Sequence, residues 1–371
     1  MSRLHDYLSD PFLHDLYRQL KAAGPVRSVS LDITHVCNLR CTGCYYFHES
    51  MDRFAATDES QLDRWIESET ARGTNFVTIV GGEPAMVLPR LKKLYDHFKI
   101  NVATNGLNRI PWEGFENMPI GIALWGNHET DALLRIQGKR DLFEIAKAHY
   151  KNDPRAFWYY TVAPGHANQI EQVVDECVQN GNKVLFNYYS DLSERGGDLD
   201  FRKGFDYVRD QINGAIDRHP SMVYTSSYLN LVVTTGELYS EKWGYDSCTN
   251  ISTNYDGNQA RMQTAMPYNK HFRAYHADFQ TTRRCCTGLT RNCDSCFDTW
   301  EHFSWIMINM RKHLGSKEEF SRWLFTMYLF YLINRLVNPV DADAILVEIH
   351  QRESMLATHI DSSRPSVENA I

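Results

Sequence analysis

Between residues 26 and 191 short apolar runs alternate with helical or turn-forming stretches, and this alternation constrains the fold more than any other feature of the chain. Val26–Ile33, Phe76–Val80, Ile100–Ala103, Ile120–Trp125, Ala156–Val162 and Lys183–Tyr188 read as strands. Helical spacing marks Glu59–Arg72, Leu88–Phe98, Leu142–Tyr150 and Asn168–Asn180. Repeated strand–helix units predict parallel strands joined by crossover helices. Residues 4–23 predict one amphipathic helix or two short ones broken near Pro11, and residues 301–371 read as helical. The polar end from Asp361 is expected to be disordered.

The loop after the first strand carries Cys37, Cys41 and Cys44 in a C-x3-C-x2-C spacing. Three thiolates suit an iron–sulfur cluster that keeps one iron without a protein ligand, because a fourth cysteine would close it. A structural zinc site completed by His35 or His48, or buried free thiols, are the alternatives by residue type. The second strand ends in Gly81-Gly82-Glu83-Pro84. Glycines allow close approach of the backbone to a ligand, and a carboxylate takes charge-assisted bonds from an ammonium.

These two motifs, in this order and each at a strand end, resemble the radical S-adenosylmethionine (radical SAM) superfamily. The resemblance implies a partial (β/α)6 barrel related to the TIM barrel, with its chemistry at the C-terminal strand ends. It implies a [4Fe–4S] cluster on Cys37, Cys41 and Cys44, with Gly81, Gly82, Glu83 and Pro84 at the methionine end of S-adenosyl-L-methionine. In the family's chemistry the reduced cluster cleaves S-adenosylmethionine, and the 5′-deoxyadenosyl radical abstracts hydrogen from an unreactive C–H. Asn105 matches a position near the ribose, with a turn asparagine as the alternative. Arg135 is a candidate carboxylate partner through its planar fork, with a solvated helix arginine as the alternative. His128, Asn187, Tyr188, Tyr189 and Asp191 are weaker candidates at other strand ends. One position departs from the family, which often has an aromatic residue where Gly43 precedes the third cysteine.

Five more of the nine cysteines fall between residues 248 and 296. Cys248 precedes residues 249–257, which read as a strand and an Asp-Gly turn; Cys285, Cys286, Cys293 and Cys296 follow. This region resembles the auxiliary-cluster extensions called SPASM or twitch domains, in the shorter single-cluster form, though Arg261 and Met262 stand where a second cysteine is expected. The resemblance implies a second [4Fe–4S] cluster on Cys248, one of Cys285 and Cys286, Cys293 and Cys296. A four-cysteine zinc site fits the C-x2-C pair equally well. One of the adjacent Cys285 and Cys286 is then left over as a spare thiol that could donate a hydrogen atom to a substrate radical, and Cys248 and Cys286 are the cysteines expected in a catalytic role. Cys177 lies on the apolar face of a helix and reads as core.

The chain has 371 residues, 43% hydrophobic and 23% charged, with net charge −7, enough to bury a full core. Nothing forms a basic stripe, so nucleic acid is not an expected partner. No signal peptide is apparent, which points to a reducing, cytoplasmic setting. Trp323–Asn334 is too short to span a membrane and reads as a buried or subunit-facing helix. The expected divisions are an N-terminal extension (1–25), a barrel (26–235), an auxiliary region (236–300) and a helical tail (301–371). The leading expectation is a radical SAM enzyme acting on a small molecule such as a sugar, nucleotide or natural-product precursor. It would take electrons from a flavodoxin or ferredoxin. The runner-up is maturation of a ribosomally made peptide; the rival from another class is a non-catalytic zinc or iron–sulfur redox protein.

Overall fold

The structure, a computed structural model, describes residues 3–163, 165–190, 204–235, 250–259, 271–285, 288 and 296–361. Six parallel strands run in sequence order: β1 (Ser28–Asp32), β2 (Phe76–Val80), β3 (Lys99–Thr104), β4 (Ile120–Leu124), β5 (Ala156–Val162) and β6 (Lys183–Tyr188). Two further short strands, β7 (Ala274–Tyr275) and β8 (Thr282–Arg283), extend the sheet beyond β1, giving the order β6-β5-β4-β3-β2-β1-β7-β8. The sheet therefore continues into the cysteine-bearing region that the sequence sets apart from the barrel.

Described helices are α1 (Arg3–Tyr7), α2 (Pro11–Ala23), α3 (Tyr45–His48), α4 (Ser60–Ala71), α5 (Leu88–His97), α6 (His128–Ile136), α7 (Leu142–Tyr150), α8 (Ile170–Gln179), α9 (Phe205–Arg218), α10 (Ser227–Thr235), α11 (Thr299–Ile308), α12 (Lys317–Ile333) and α13 (Ala342–Asp361). The N-terminal break falls at Pro11, which opens α2 behind the Asp10 cap. The strand–helix rhythm has one exception. Residues 105–119, between β3 and β4, form no α-helix, and Arg155 ties this loop down by donating to the carbonyls of Ile110, Pro111 and Phe115.

Strand alternation divides the side chains. Val29, Leu31, Val77, Ile79, Ile120, Ile122 and Trp158 are buried in the main core. Ser28, Ser30, Thr78, Asn101, Ala103, Gly121, Ala123, Tyr159 and Thr161 line an interior cavity of about 300 Å³. TIM-type barrels usually fill their lumen with branched apolar residues; here small and polar residues leave it open.

The apolar C-terminal run becomes α12, packed against α2. Tyr328 and Tyr331 donate to the side-chain oxygen of Gln19 and the carbonyl of Gly24, at 2.7 and 2.8 Å. It is a buried helix, and among the described residues no helix is long and apolar enough to cross a membrane. α11 closes the side of the barrel next to β6, where Thr299 bonds to Phe186 and Asn187. Cys177 is fully buried in the core, as its helical position predicts. Of the expected strand at residues 249–257, the described residues 250–257 form none: Ile251 makes a single bridge to Cys285, and Asp256–Asn258 is a 3-10 turn.

Candidate functional site

The cysteine loop and the Gly-Gly-Glu-Pro turn meet at the C-terminal mouth of the barrel because the β1–β2 pairing continues past the strands. Ile33 N–H donates to Val80, Gly82 N–H to Thr34 and Glu83 N–H to Val36, at 3.0, 2.8 and 2.8 Å. A Cβ on Gly82 would lie 2.0 Å from the Val36 oxygen, so only glycine permits this approach. The close partner is thus the backbone of the cysteine loop.

Glu83 is buried and its carboxylate is largely occupied. It accepts from Ala85 N–H at 2.9 Å, the Thr104 hydroxyl at 2.6 Å and Asn105 N–H at 2.8 Å. A carboxylate offers about four acceptor positions, so the main visible work of Glu83 is to tie the β2 turn to the end of β3. Burial pushes its pKa up, against these donors. Asn105, placed by that bond, donates to Asn38 beside Cys37 at 2.6 Å.

Cys37, Cys41 and Cys44 are half-buried around the loop. Burial pushes the Cys37 thiol up to about 11 and raises the other two. Donors already face the sulfurs. Leu39 N–H reaches Cys37 at 3.4 Å, and backbone amides of Tyr46 and Phe47 face Cys44. Among the described residues no three His, Cys, Asp or Glu side chains are grouped as a single metal ion would require. A four-iron cube places each thiolate on a different iron and needs no such convergence. The loop fits a cluster of that kind: three thiols, preplaced N–H donors and an adjoining cavity.

Arg135 is not solvated. It is 2% exposed and pairs with Asp131 at 3.0 Å, while donating to the carbonyls of Ala123 and Asn105 at 2.8 and 3.0 Å. Its guanidinium also lies within hydrogen-bonding reach of the Cys41 sulfur. Burial opposes the Arg135 charge, but Asp131 and then Cys41 outweigh it and hold the pKa above its ordinary value. The sequence missed this burial, although the four-residue spacing of Asp131 and Arg135 on one helix was a legible signal.

The departure at Gly43 has a counterpart. Gly43 adopts φ +74°, and a Cβ there would lie 2.5 Å from the Tyr189 hydroxyl. Tyr189, just after β6, therefore fills the place of a side chain at 43, with Trp125 edge-on to it at 5.8 Å. Both rings line the cavity, as do Tyr45, Tyr159, Asn187, Cys296 and Asp298. Asp298 caps α11, and burial together with nearby Glu301 pushes its carboxyl up to about 7. His128 stands apart, bridging Asp141 and Glu176 at 2.7 Å each.

Of the C-terminal cysteines, Cys285 and Cys296 are described and buried. Cys296 donates to Glu301 at 2.6 Å. Cys248, Cys286, Cys293 and Asp191 lie outside the described residues.

No family model matches the chain. A curated relative, the sporulation killing factor maturation protein SkfB of Bacillus subtilis (strain 168), is 27% identical over 173 residues, which are 42% of this chain and 40% of SkfB. The chain thus matches well under half the length of that relative. Solved structures that resemble it include Streptococcus suis SuiB bound to precursor peptide SuiA (16% identity, TM-score 0.40, covering 61% of this chain and 55% of SuiB). Another is native anSMEcpe with bound AdoMet and Cp18Cys peptide (16% identity, TM-score 0.46, covering 79% and 83%). The cysteine loop, the Gly-Gly-Glu-Pro turn and the parallel sheet keep the resemblance to the radical SAM superfamily that the motifs carry, and part of the chain is similar to the maturation protein SkfB.

Proposed function

We propose that this chain cleaves S-adenosylmethionine reductively and abstracts a hydrogen atom from a peptide. The observation that carries the reading is the hydrogen-bonded pair of Cys37–Cys44 loop and Gly81–Pro84 turn, with Gly43 of the loop and Val80 just before the turn lining the barrel cavity. Cys37, Cys41 and Cys44 would hold a [4Fe–4S] cluster, and the backbone of Gly81 and Gly82 with Asn105 would receive S-adenosylmethionine. Bound together, these groups supply one-electron cleavage and hydrogen abstraction. The protein places the thiols, ties the turn to the loop and surrounds the cavity with aromatic rings that limit water.

The small-molecule substrate that leads the sequence reading is corrected here to the peptide alternative. The relative's name as a maturation protein fits modification of another gene product better than of a sugar or nucleotide. On the segments that meet at the mouth, three apolar side chains are exposed: Val36 at 41%, Met86 at 41% and Leu133 at 60%. Exposed apolar side chains there suit an extended chain lying across the opening. Cys248, one of Cys285 and Cys286, Cys293 and Cys296 are proposed to hold a second cluster, and a flavodoxin or ferredoxin to deliver electrons.

The test is anaerobic reconstitution with iron and sulfide, followed by 5′-deoxyadenosine release under dithionite. Wild type should release it and Cys41→Ala should not; release by Cys41→Ala would overturn the reading. Mass change in a gene-encoded precursor peptide, with none in sugar nucleotides, would support the substrate class, and the reverse would restore the small-molecule reading.

A further inference from the structure

Arg135 has more partners than a carboxylate clamp needs. One guanidinium nitrogen bonds both oxygens of Asp131, at 3.1 and 3.0 Å, and the Ala123 carbonyl at 2.8 Å; the other bonds the Asn105 carbonyl at 3.0 Å. The side chain is 2% exposed and Asp131 is 0% exposed, so neither is available to an arriving ligand without repacking. Asp131 is itself held by the Trp125 N–H at 2.8 Å. The loop is anchored at the same place, where Thr42 N–H donates to Leu134 at 2.8 Å. That bond joins the neighbour of Cys41 to the neighbour of Arg135 and sets the Cys41 sulfur beside the guanidinium, which also feels the buried Glu83 carboxylate.

We propose that Arg135 serves the cluster rather than S-adenosylmethionine: its buried guanidinium fixes Cys41 and raises the reduction potential of the cluster held by Cys37, Cys41 and Cys44, with Asp131 setting how far. Hydrogen bonds and net charge near the sulfurs are among the main determinants of iron–sulfur potentials. Reduction adds one negative charge to the cluster. A buried cation against a ligand sulfur favours that state, a buried anion opposes it, and low dielectric keeps both effects large. Arg135 and Asp131 therefore act with opposite sign on one quantity. The position also links groups that must respond together, because the Asn105 carbonyl on Arg135 belongs to the residue whose N–H Glu83 holds.

The inference rests on the radical SAM reading, and its test separates the two. The readout is the midpoint potential of the reconstituted protein by EPR-monitored titration, taking the signal that changes on addition of S-adenosylmethionine. Iron content is measured alongside. Arg135→Gln should lower the reduced-to-oxidised ratio at fixed potential about tenfold, a negative shift of about 59 mV for one electron. Asp131→Asn keeps the size of the side chain and an acceptor for Trp125 N–H, and should shift the potential the other way by a similar factor. Arg135→Lys should lie near wild type. If Arg135→Gln fails to fold, the positive shift of Asp131→Asn carries the test alone. Unmoved potentials, or shifts of the same sign in both variants, would overturn the role of Arg135. Absence of any cluster dependent on the three cysteines in wild type would overturn the superfamily reading as well.

Discussion

Gly82→Ala tests the junction on which the site depends. Its Cβ would lie 2.0 Å from the Val36 oxygen, and ordinary contact begins at 3.4 Å, so turn and loop must part by about 1.4 Å. The Gly82–Thr34 and Glu83–Val36 bonds, 2.8 Å each, cannot survive that displacement. At a net 0.5–1.5 kcal/mol per bond, the loss is about 2 kcal/mol, before any strain in the loop. A matched control exists in α9, where a Cβ on Gly214 would meet only the Arg218 side chain at 3.4 Å. Gly214→Ala should be neutral or stabilising by about 0.5–1 kcal/mol, because alanine favours the helix interior. The assay is the denaturant midpoint of the reduced apo-protein, with iron per chain after reconstitution. Gly82→Ala should lose both stability and iron, because Cys37 follows directly on Val36. Stability within about 0.5 kcal/mol of wild type with full iron would refute the argument that this glycine exists for backbone contact.

Cys296→Ala should remove about four irons while leaving S-adenosylmethionine cleavage measurable, since the cluster proposed for the C-terminal cysteines is separate from the first; unchanged iron would favour zinc or free thiols there. His350 is buried, donates to the Val223 carbonyl at 2.8 Å and has its other ring nitrogen without a partner. Burial lowers its pKa from 6.5 to about 4, so the folded state prefers the neutral ring. The unfolded chain then binds more protons below pH 6.5. The stability present above that pH should fall by up to about 3 kcal/mol as pH drops to about 4. Denaturation midpoints for wild type and His350→Gln between pH 7 and 4 should diverge, and parallel curves would remove His350 from the account.

Much of the fold is legible in the chain because local pattern and tertiary role coincide. β5 and β6 span the same residues as the strands read from the sequence, and Leu142–Tyr150 carries a helical stripe that remains a helix in the fold. Cys37, Cys41 and Cys44 and the Gly81–Pro84 turn need only spacing and position after a strand to be recognised. Residues 249–257 show where this fails: Thr249, Ile251, Thr253 and Tyr255 read as a strand, but among the described residues the one bridge goes from Ile251 to Cys285, and a strand needs a partner along its length.

The sequence by itself determined the order of parallel strands, the cysteine loop at the end of the first and the glycine turn at the end of the second, because these follow from periodicity and residue type. Tertiary structure decided what those residues touch. Gly82 meets the Val36 carbonyl, Glu83 is consumed by Thr104 and Asn105, Arg135 is shut in with Asp131 beside Cys41, and Tyr189 fills the space over Gly43. Each of these contacts joins residues from different strand ends. Sequence spacing carries no information about which strand ends a closing sheet brings within 3 Å of one another.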